Sequence, residues 1–170
     1  MNIFYLDEDP SVAAQSLGDK HVVKMLLESV QLLSGVYYIE GSTKLPPKTI
    51  KGEPYKKTHF NHPCAIWARS DMQHWIWLLG HAANLYNEYK HRWPDRDHAC
   101  VGAISYMTGN PPTWLYNTGF SEPPKCMPEE FKGLDTILSY RQYYSEAKKH
   151  LHKWTRRTPP SWLSPKIRLV

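Results

Sequence analysis

Four polar side chains, three of them capable of acid–base or covalent chemistry, recur at helical spacing near the start of the chain. They are His21, Lys24, Glu28 and Gln31, separated by three, four and three residues. At ~100° per residue of α-helix these positions fall on one narrow face. A carboxylate on such a face can stabilise a developing positive charge, and an amine can act as a nucleophile.

The rest of this segment is apolar, which predicts a buried helix that begins at Asp19 and either fades at Gly35 or runs on to Tyr38 and Ile39. The apolar positions cover most of its circumference: Val22, Val23, Met25, Leu26, Leu27, Val30, Leu32 and Leu33. Buried ionisable groups are costly unless they are paired, so the polar face is expected to line a wet cleft or contact a ligand. The alternative is a solvent-exposed face on which Glu28 pairs with Lys24 one turn away.

Composition narrows the class of protein. The 170 residues, with 7 Trp and 11 Tyr, predict one folded domain over 1–170 and exclude a disordered chain. The formal net charge of +5 favours a phosphate-bearing partner.

We find no membrane-spanning run or signal peptide and expect a monomer in the cytoplasm, or in the host cytoplasm if the protein is viral. Three scattered cysteines favour a reducing compartment.

Periodicity predicts an all-α domain of three long helices, with short helices, long irregular loops and minimal strand at the N-terminus. The second long helix is predicted from Ser70 or Asp71 to Arg92, and the third over 129–154. Shorter elements are a strand or extended segment at 3–6 and helices at 10–17, 63–69 and 97–107. The irregular segments are a basic Pro/Gly-rich loop at 41–57, a Pro-rich loop at 109–128 and an extended tail at 158–170.

A second polar group lies at a loop-to-helix turn and comprises His59, His62 and Arg69. Pro63 starts the helix and keeps the preceding histidine extended. Two histidines and an arginine at such a turn suit recognition of an anion or a base. The spacing of the histidines and Cys64 matches no closed zinc site, so we expect no metal and no cofactor.

Basic residues accumulate toward the end of the predicted third helix, where they are expected to contact DNA phosphates. The residues selected as phosphate contacts are Arg141, Lys148, Lys149 and Lys153. A local explanation is also open, because cations near a helix C-terminus interact favourably with the helix dipole.

One short motif resembles a known family, the phage-type pyrimidine-dimer DNA glycosylase/AP lyases, or T4-type endonuclease V. The motif is Leu17-Gly18-Asp19-Lys20-His21-Val22, followed by Glu28 seven residues after the histidine. The resemblance extends in outline to His62 ahead of the second long helix and to Pro159-Pro160-Ser161-Trp162 after the third. It implies a base-excision DNA-repair enzyme that cleaves the glycosyl bond of a damaged or modified pyrimidine, here in double-stranded DNA.

The resemblance also implies roles for individual residues. Glu28 is the catalytic carboxylate, and His21 contacts a phosphate or a base. The N-terminal amine, on Met1 if that residue is retained, is the first choice for the nucleophile that forms an imine with the sugar. Lys24 is the second choice, because an amine in a poorly solvated cleft loses its proton more easily.

The chain differs from the family pattern at three positions near this motif. Asn2 stands where the family has a threonine exposed by removal of Met1, and we expect a side chain this large to hinder that removal. Leu27 and Gln31 stand where the family has arginines, and Gln31 remains an expected DNA contact. These differences leave two alternatives: a DNA-base- or nucleotide-modifying enzyme on the same scaffold, or a non-catalytic nucleic-acid-binding protein.

Overall fold

The structure, a computed structural model that describes residues 1–163, confirms the predicted all-α fold. Six α-helices occur in this range: α1 Pro10–Ser16, α2 Asp19–Ser34, α3 Pro63–Ser70, α4 Met72–Arg92, α5 Val101–Gly109 and α6 Thr136–Ala147. Short 3-10 turns lie at Gly35–Tyr38, Glu129–Phe131, Lys149–Leu151 and Ser161–Leu163. No helix in the described part of the chain is long and apolar enough to cross a membrane.

The two long helices α2 and α4 pack against each other and form the centre of the molecule. Leu26 and Leu33 of α2 join Leu78 and Leu85 of α4 in one apolar core, and all four are fully buried. Burial of apolar surface of this kind is the main favourable term in folding. The predicted bounds of α4 agree with the structure within one or two residues. Helix α2 ends at Ser34, next to the predicted end at Gly35, and the chain continues to Tyr38 as a 3-10 turn.

The prediction of a third long helix over 129–154 is wrong. Only Thr136–Ala147 is α-helical, because the chain turns sharply on either side of it. Before the helix, Gly133 donates its N–H to Ser139 Oγ at 2.9 Å, and the Asp135 carboxylate caps the N–H of Leu138 at 2.7 Å. Two shorter elements also differ: α5 begins at Val101 instead of residue 97, and part of the predicted tail forms the turn Ser161–Leu163. The remainder of that tail, 164–170, lies outside the described residues.

Residues 3–6 form no strand, so that prediction is wrong, and a bend at Phe4 interrupts the extended segment foreseen as the alternative. All four residues are buried, with Ile3 and Leu6 fully inaccessible. Phe4 adopts a φ of +53°, a left-handed conformation that costs a bulky residue about 1–3 kcal/mol. Its ring packs 4.8 Å from the His21 ring and 5.4 Å from that of Tyr144, so core packing holds the bend. The bend brings residues 1 and 2 alongside α2.

A buried network of charges joins the helices. Arg92, 1% exposed, donates to Glu88 Oε1 at 2.8 Å, to Asp19 Oδ1 at 2.9 Å and to the carbonyl of Leu17 at 2.8 Å. Arg157 adds a 2.6 Å bond to Glu88 Oε2. Burial opposes ionisation of the two carboxyls, but their hydrogen bonds outweigh it and lower the pKa of both Asp19 and Glu88. The network fixes the start of α2 against the end of α4.

We predict that Arg92→Met lowers the free energy of unfolding by about 3–5 kcal/mol, because it leaves Asp19 without a cationic partner and Glu88 with Arg157 alone. Urea denaturation at neutral pH measures the change. The matched control is Arg96→Met, an exposed arginine four residues later, for which we expect a change within about 0.5 kcal/mol. Equal stability of the two variants would contradict the structural role of the network.

Candidate functional site

A small polar cleft of about 240 Å³ lies where the N-terminal segment meets α2 and α6. Its lining includes Met1, Asn2, Phe4, His21, Lys24, Met25, Glu28, Cys126, Tyr143 and Lys148. Three of the four polar residues selected on α2 therefore face one cleft. The fourth, Gln31, lines a separate and mostly apolar cavity of about 500 Å³ together with Leu27 and Tyr55.

The carboxylate of Glu28 is held by the amino end of the chain. Asn2 donates its backbone N–H to Glu28 Oε2 at 2.9 Å. The Asn2 side chain is fixed in turn, because its amide donates to the Cys126 carbonyl at 2.7 Å and its Oδ1 accepts the N–H of Phe4 at 2.9 Å. Glu28 is only 12% exposed, so the bond from the N-terminal segment satisfies a carboxylate that has little access to water.

Lys24 pairs with Glu28 from the solvent side. Its Nζ lies 3.6 Å from Glu28 Oε1, so the ion pair considered as an alternative for this face is present within the cleft. The Lys24 side chain is 66% exposed. The poor solvation on which its selection as a nucleophile depended is therefore absent, and an exposed pair of this kind contributes little to stability.

His21 is a buried, neutral imidazole at the inner end of the cleft. Burial, assisted by the positive charges of Lys148 and Lys24, lowers its pKa to about 4. Its Nδ1 lies 2.8 Å from the hydroxyl of Tyr144, and that hydroxyl accepts the N–H of Gly18 at 2.9 Å. The Tyr144 proton is then available to Nδ1, which leaves Nε2–H as the donor of the ring. His21 can thus contact a ligand as a neutral hydrogen-bond donor.

The predicted phosphate contacts after residue 140 do not lie together. Lys148 lines the cleft, and its Nζ lies 5.0 Å from the centre of the Tyr143 ring. Lys149 and Lys153 are exposed but lie outside the cleft lining. Arg141 lies elsewhere: it bonds Asp7 at 2.9 Å and lines a different cavity of about 430 Å³.

Of the three residues predicted to act together at the turn before α3, only His62 lies near the cleft. The charges of Glu28 and of the chain's amino end both act on His62, whose pKa is lowered chiefly by burial. Arg69 turns away, donating to the Phe60 carbonyl with its guanidinium 3.9 Å from the Phe60 ring centre. His59 is exposed and outside the lining. The prediction that Arg69 and His59 share a site with Glu28 is therefore wrong. Packing against Phe60 orients the arginine away from the cleft.

Sequence reasoning missed a pair of thiols beside the cleft. Cys64 Sγ and Cys126 Sγ lie 3.5 Å apart, although 62 positions separate them in the chain. A thiolate on Cys126 accepts the S–H of Cys64, and this hydrogen bond lowers the pKa of Cys126 to about 7 and raises the pKa of Cys64. The positive charge of the amino terminus also favours the Cys126 thiolate. Asn2 was noticed in the sequence only as a departure from a family pattern. No local spacing relates Cys126 to the other site residues.

We predict that acid destabilises the protein between about pH 6.5 and pH 4. Burial lowers the pKa of His21 and of the fully buried His81 to about 4, whereas an unfolded histidine titrates near 6.5. As the pH falls below about 6.5 the unfolded chain binds protons that the native state does not, so the free energy of unfolding decreases until about pH 4. Urea denaturation at several pH values measures the slope.

Two variants separate this effect from general acid sensitivity. His81→Leu should flatten the slope, because it removes one of the two imidazoles whose pKa burial lowers to about 4. His59→Asn, at an exposed position, should leave the slope unchanged. A free energy of unfolding that stays constant from pH 7 to pH 5 in the wild-type protein would contradict the assignment.

Comparisons with protein-family models, with curated proteins and with solved structures found no match for this chain. The function must therefore follow from the chemistry of the site itself. The features on which it rests are a shielded carboxylate, the amino end of the chain, a neutral histidine and a rim of lysines.

Proposed function

We propose that this protein is a DNA N-glycosylase with AP-lyase activity, acting on a damaged or modified pyrimidine in double-stranded DNA. The observation that carries the proposal is the 2.9 Å bond from Asn2 N to Glu28 Oε2. It joins a carboxylate to the N-terminal segment, whose α-amine is the proposed nucleophile. Cleavage of a glycosyl bond develops positive charge on the sugar, which a carboxylate stabilises, while an amine can capture the sugar carbon.

The geometry accommodates the amine on either of two residues. With Met1 retained, its amine lies one residue from the contact, and Met1 itself lines the cleft. If Met1 is removed, the nitrogen that now bonds Glu28 at 2.9 Å becomes the free amine of Asn2. In the second form Glu28 lies within hydrogen-bond distance of the amine and can take part in proton transfer to or from it.

The covalent step conserves atoms and charge. The amine nitrogen forms a bond to the anomeric carbon as the bond from that carbon to the base breaks. The base leaves with one proton of the amine, and opening of the sugar ring, in which the ring oxygen takes the other proton, gives an imine. Loss of a proton from the adjacent sugar carbon then eliminates the 3′ phosphate and cuts the strand. Glu28 stabilises the cationic sugar in the first step and the protonated imine in the second.

The surroundings of the cleft suit a phosphate backbone. Lys24 and Lys148 flank the opening, and the positive charges of both act on His21 inside it. His21 is neutral at pH 7, so it can donate a hydrogen bond without adding a charge that would compete with the cationic sugar. Phosphate contacts would come from the lysine rim, and the cleft would receive the reacting nucleotide.

We predict that Glu28→Gln lowers the single-turnover rate of base release by about 100-fold or more, while binding to duplex DNA is retained. The amide keeps the shape and one hydrogen-bond acceptor but removes the charge. The measurement uses a panel of duplexes that carry damaged or modified pyrimidines. Glu130→Gln, at an exposed position, is the control with unchanged rate. A parallel loss of folding and DNA binding in Glu28→Gln would instead indicate a purely structural partner of Asn2 and Lys24.

The same reactions, quenched with borohydride, locate the amine. The expected adduct lies on the N-terminal peptide, and it survives in Lys24→Met. Extending the chain by two residues before Met1 moves the amine away and should abolish trapping. An adduct mapped to Lys24 would overturn the choice of nucleophile, and base release without any adduct would show a glycosylase that uses water.

We predict that DNA affinity falls steeply with salt, and that replacing Lys148, Lys149 and Lys153 together with alanine weakens binding to all sequences about equally. Each lost phosphate contact should reduce the slope of log affinity against log salt by about 1. Lys90→Ala is the control, because Lys90 already pairs with Asp97 at 3.0 Å. Affinity that is independent of salt would exclude a phosphate-driven mode of binding.

A further inference from the structure

Three potential metal ligands meet beside the cleft. They are His62, Cys64 and Cys126, and their donor atoms all lie within 4.8 Å of one another. Cys64 is fully buried, whereas His62 and Cys126 are partly exposed. The proposed glycosylase chemistry uses none of these three side chains.

The spacing of the sulfurs fits a metal better than a disulfide. Two thiolates on tetrahedral zinc, each at about 2.3 Å from the metal, lie about 3.8 Å apart. The two sulfurs of a disulfide are bonded at about 2.05 Å. The observed 3.5 Å between Cys64 Sγ and Cys126 Sγ is close to the first value. The widest separation between donor atoms in the group is 4.8 Å. It exceeds the nitrogen-to-sulfur separation at a tetrahedral zinc ion by about 1 Å, and rotation of the partly exposed His62 ring can close this gap.

Rigid elements hold both sulfurs in place. Cys64 is the second residue of α3, directly after Pro63. Cys126 is fixed by Tyr140 of α6, whose hydroxyl accepts the N–H of Cys126 at 3.1 Å and donates to the carbonyl of Pro124 at 2.6 Å. A site whose ligands are positioned before the metal arrives loses little entropy on binding.

We propose that His62, Cys64 and Cys126 form a binding site for Zn²⁺, with two thiolates and one imidazole as ligands and a fourth position open to solvent. Two sulfurs and a nitrogen are the donor set that selects zinc over magnesium or calcium. Binding transfers the two thiol protons to solvent. Within residues 1–163, no further His, Cys, Asp or Glu belongs to the group.

The metal would join three parts of the molecule that surround the candidate site. His62 and Cys64 belong to the start of α3, and Cys126 belongs to the loop before α6. The carbonyl of Cys126 accepts the side-chain amide of Asn2 at 2.7 Å, so the same loop holds the residue that contacts Glu28. Bound zinc would therefore fix the wall of the cleft against which the amino end of the chain rests.

The experiment uses the full chain in reducing buffer, freed of metal by a chelator and then titrated with Zn²⁺ or Co²⁺. We expect one metal ion per chain, a thiolate-to-cobalt charge-transfer band in the near ultraviolet, and a higher melting temperature with Zn²⁺. Cys126→Ser should lose the band. It should also weaken zinc binding by more than the ~10–100-fold typical of changing a residue that contacts a metal ligand without binding the metal itself. Cys126 is the chosen position because it is partly exposed, whereas Cys64 is fully buried.

The matched control is Cys100→Ser, which removes the remaining cysteine. Cys100 is buried and contacts the Tyr55 hydroxyl at 3.5 Å, away from the group. The proposal is overturned if the reduced wild-type chain takes up no stoichiometric metal, or if Cys126→Ser, folded by circular dichroism, keeps the cobalt band. Loss of the band in Cys100→Ser would also overturn it. None of these measurements requires DNA, so their outcome is independent of the proposed glycosylase activity.

Discussion

The buried guanidinium of Arg92 sets the constraint on which the rest of the structure depends. An unpaired charge at such a position costs several kcal/mol, so the carboxylates of Glu88 and Asp19 must stay within hydrogen-bond distance of it. This requirement holds the first turn of α2 against the last turn of α4. The direction of α2 then decides where its polar face points. The catalytic geometry proposed for Glu28 is thus a consequence of a salt bridge two turns away.

A second constraint, the packing of residues 3–6, brings the amino end of the chain to that face. These residues are buried although they belong to no helix, and Phe4 accepts a left-handed conformation because its ring packs against His21 and Tyr144. The strained bend is compensated by core packing, and its result is the contact between Asn2 and Glu28. The same burial keeps His21 uncharged, so this side chain adds no positive charge to the inside of the cleft, while the rim carries lysines. That division suits a reaction in which positive charge develops on a bound sugar.

The sequence foresaw part of the site and missed the rest for a physical reason. Spacing along one helix is a local property, so His21, Lys24 and Glu28 were correctly placed on one face. Arg69 was misplaced because the direction of its side chain depends on Phe60, with which it packs. Cys126 carried no local signal at all, since its partners lie more than 60 residues earlier.

The sequence by itself determined the all-α class, the two long central helices and the polar face of α2, because helical period and apolar patterning are written in neighbouring residues. Periodicity does not register the start of α6, which a turn at Gly133 and a cap at Asp135 set locally. The tertiary structure alone decided which surface Gln31 faces, and that residues 3–6 pair with no strand. Each of these outcomes depends on which distant segments share the core, and contacts of that kind form only when the whole chain has folded.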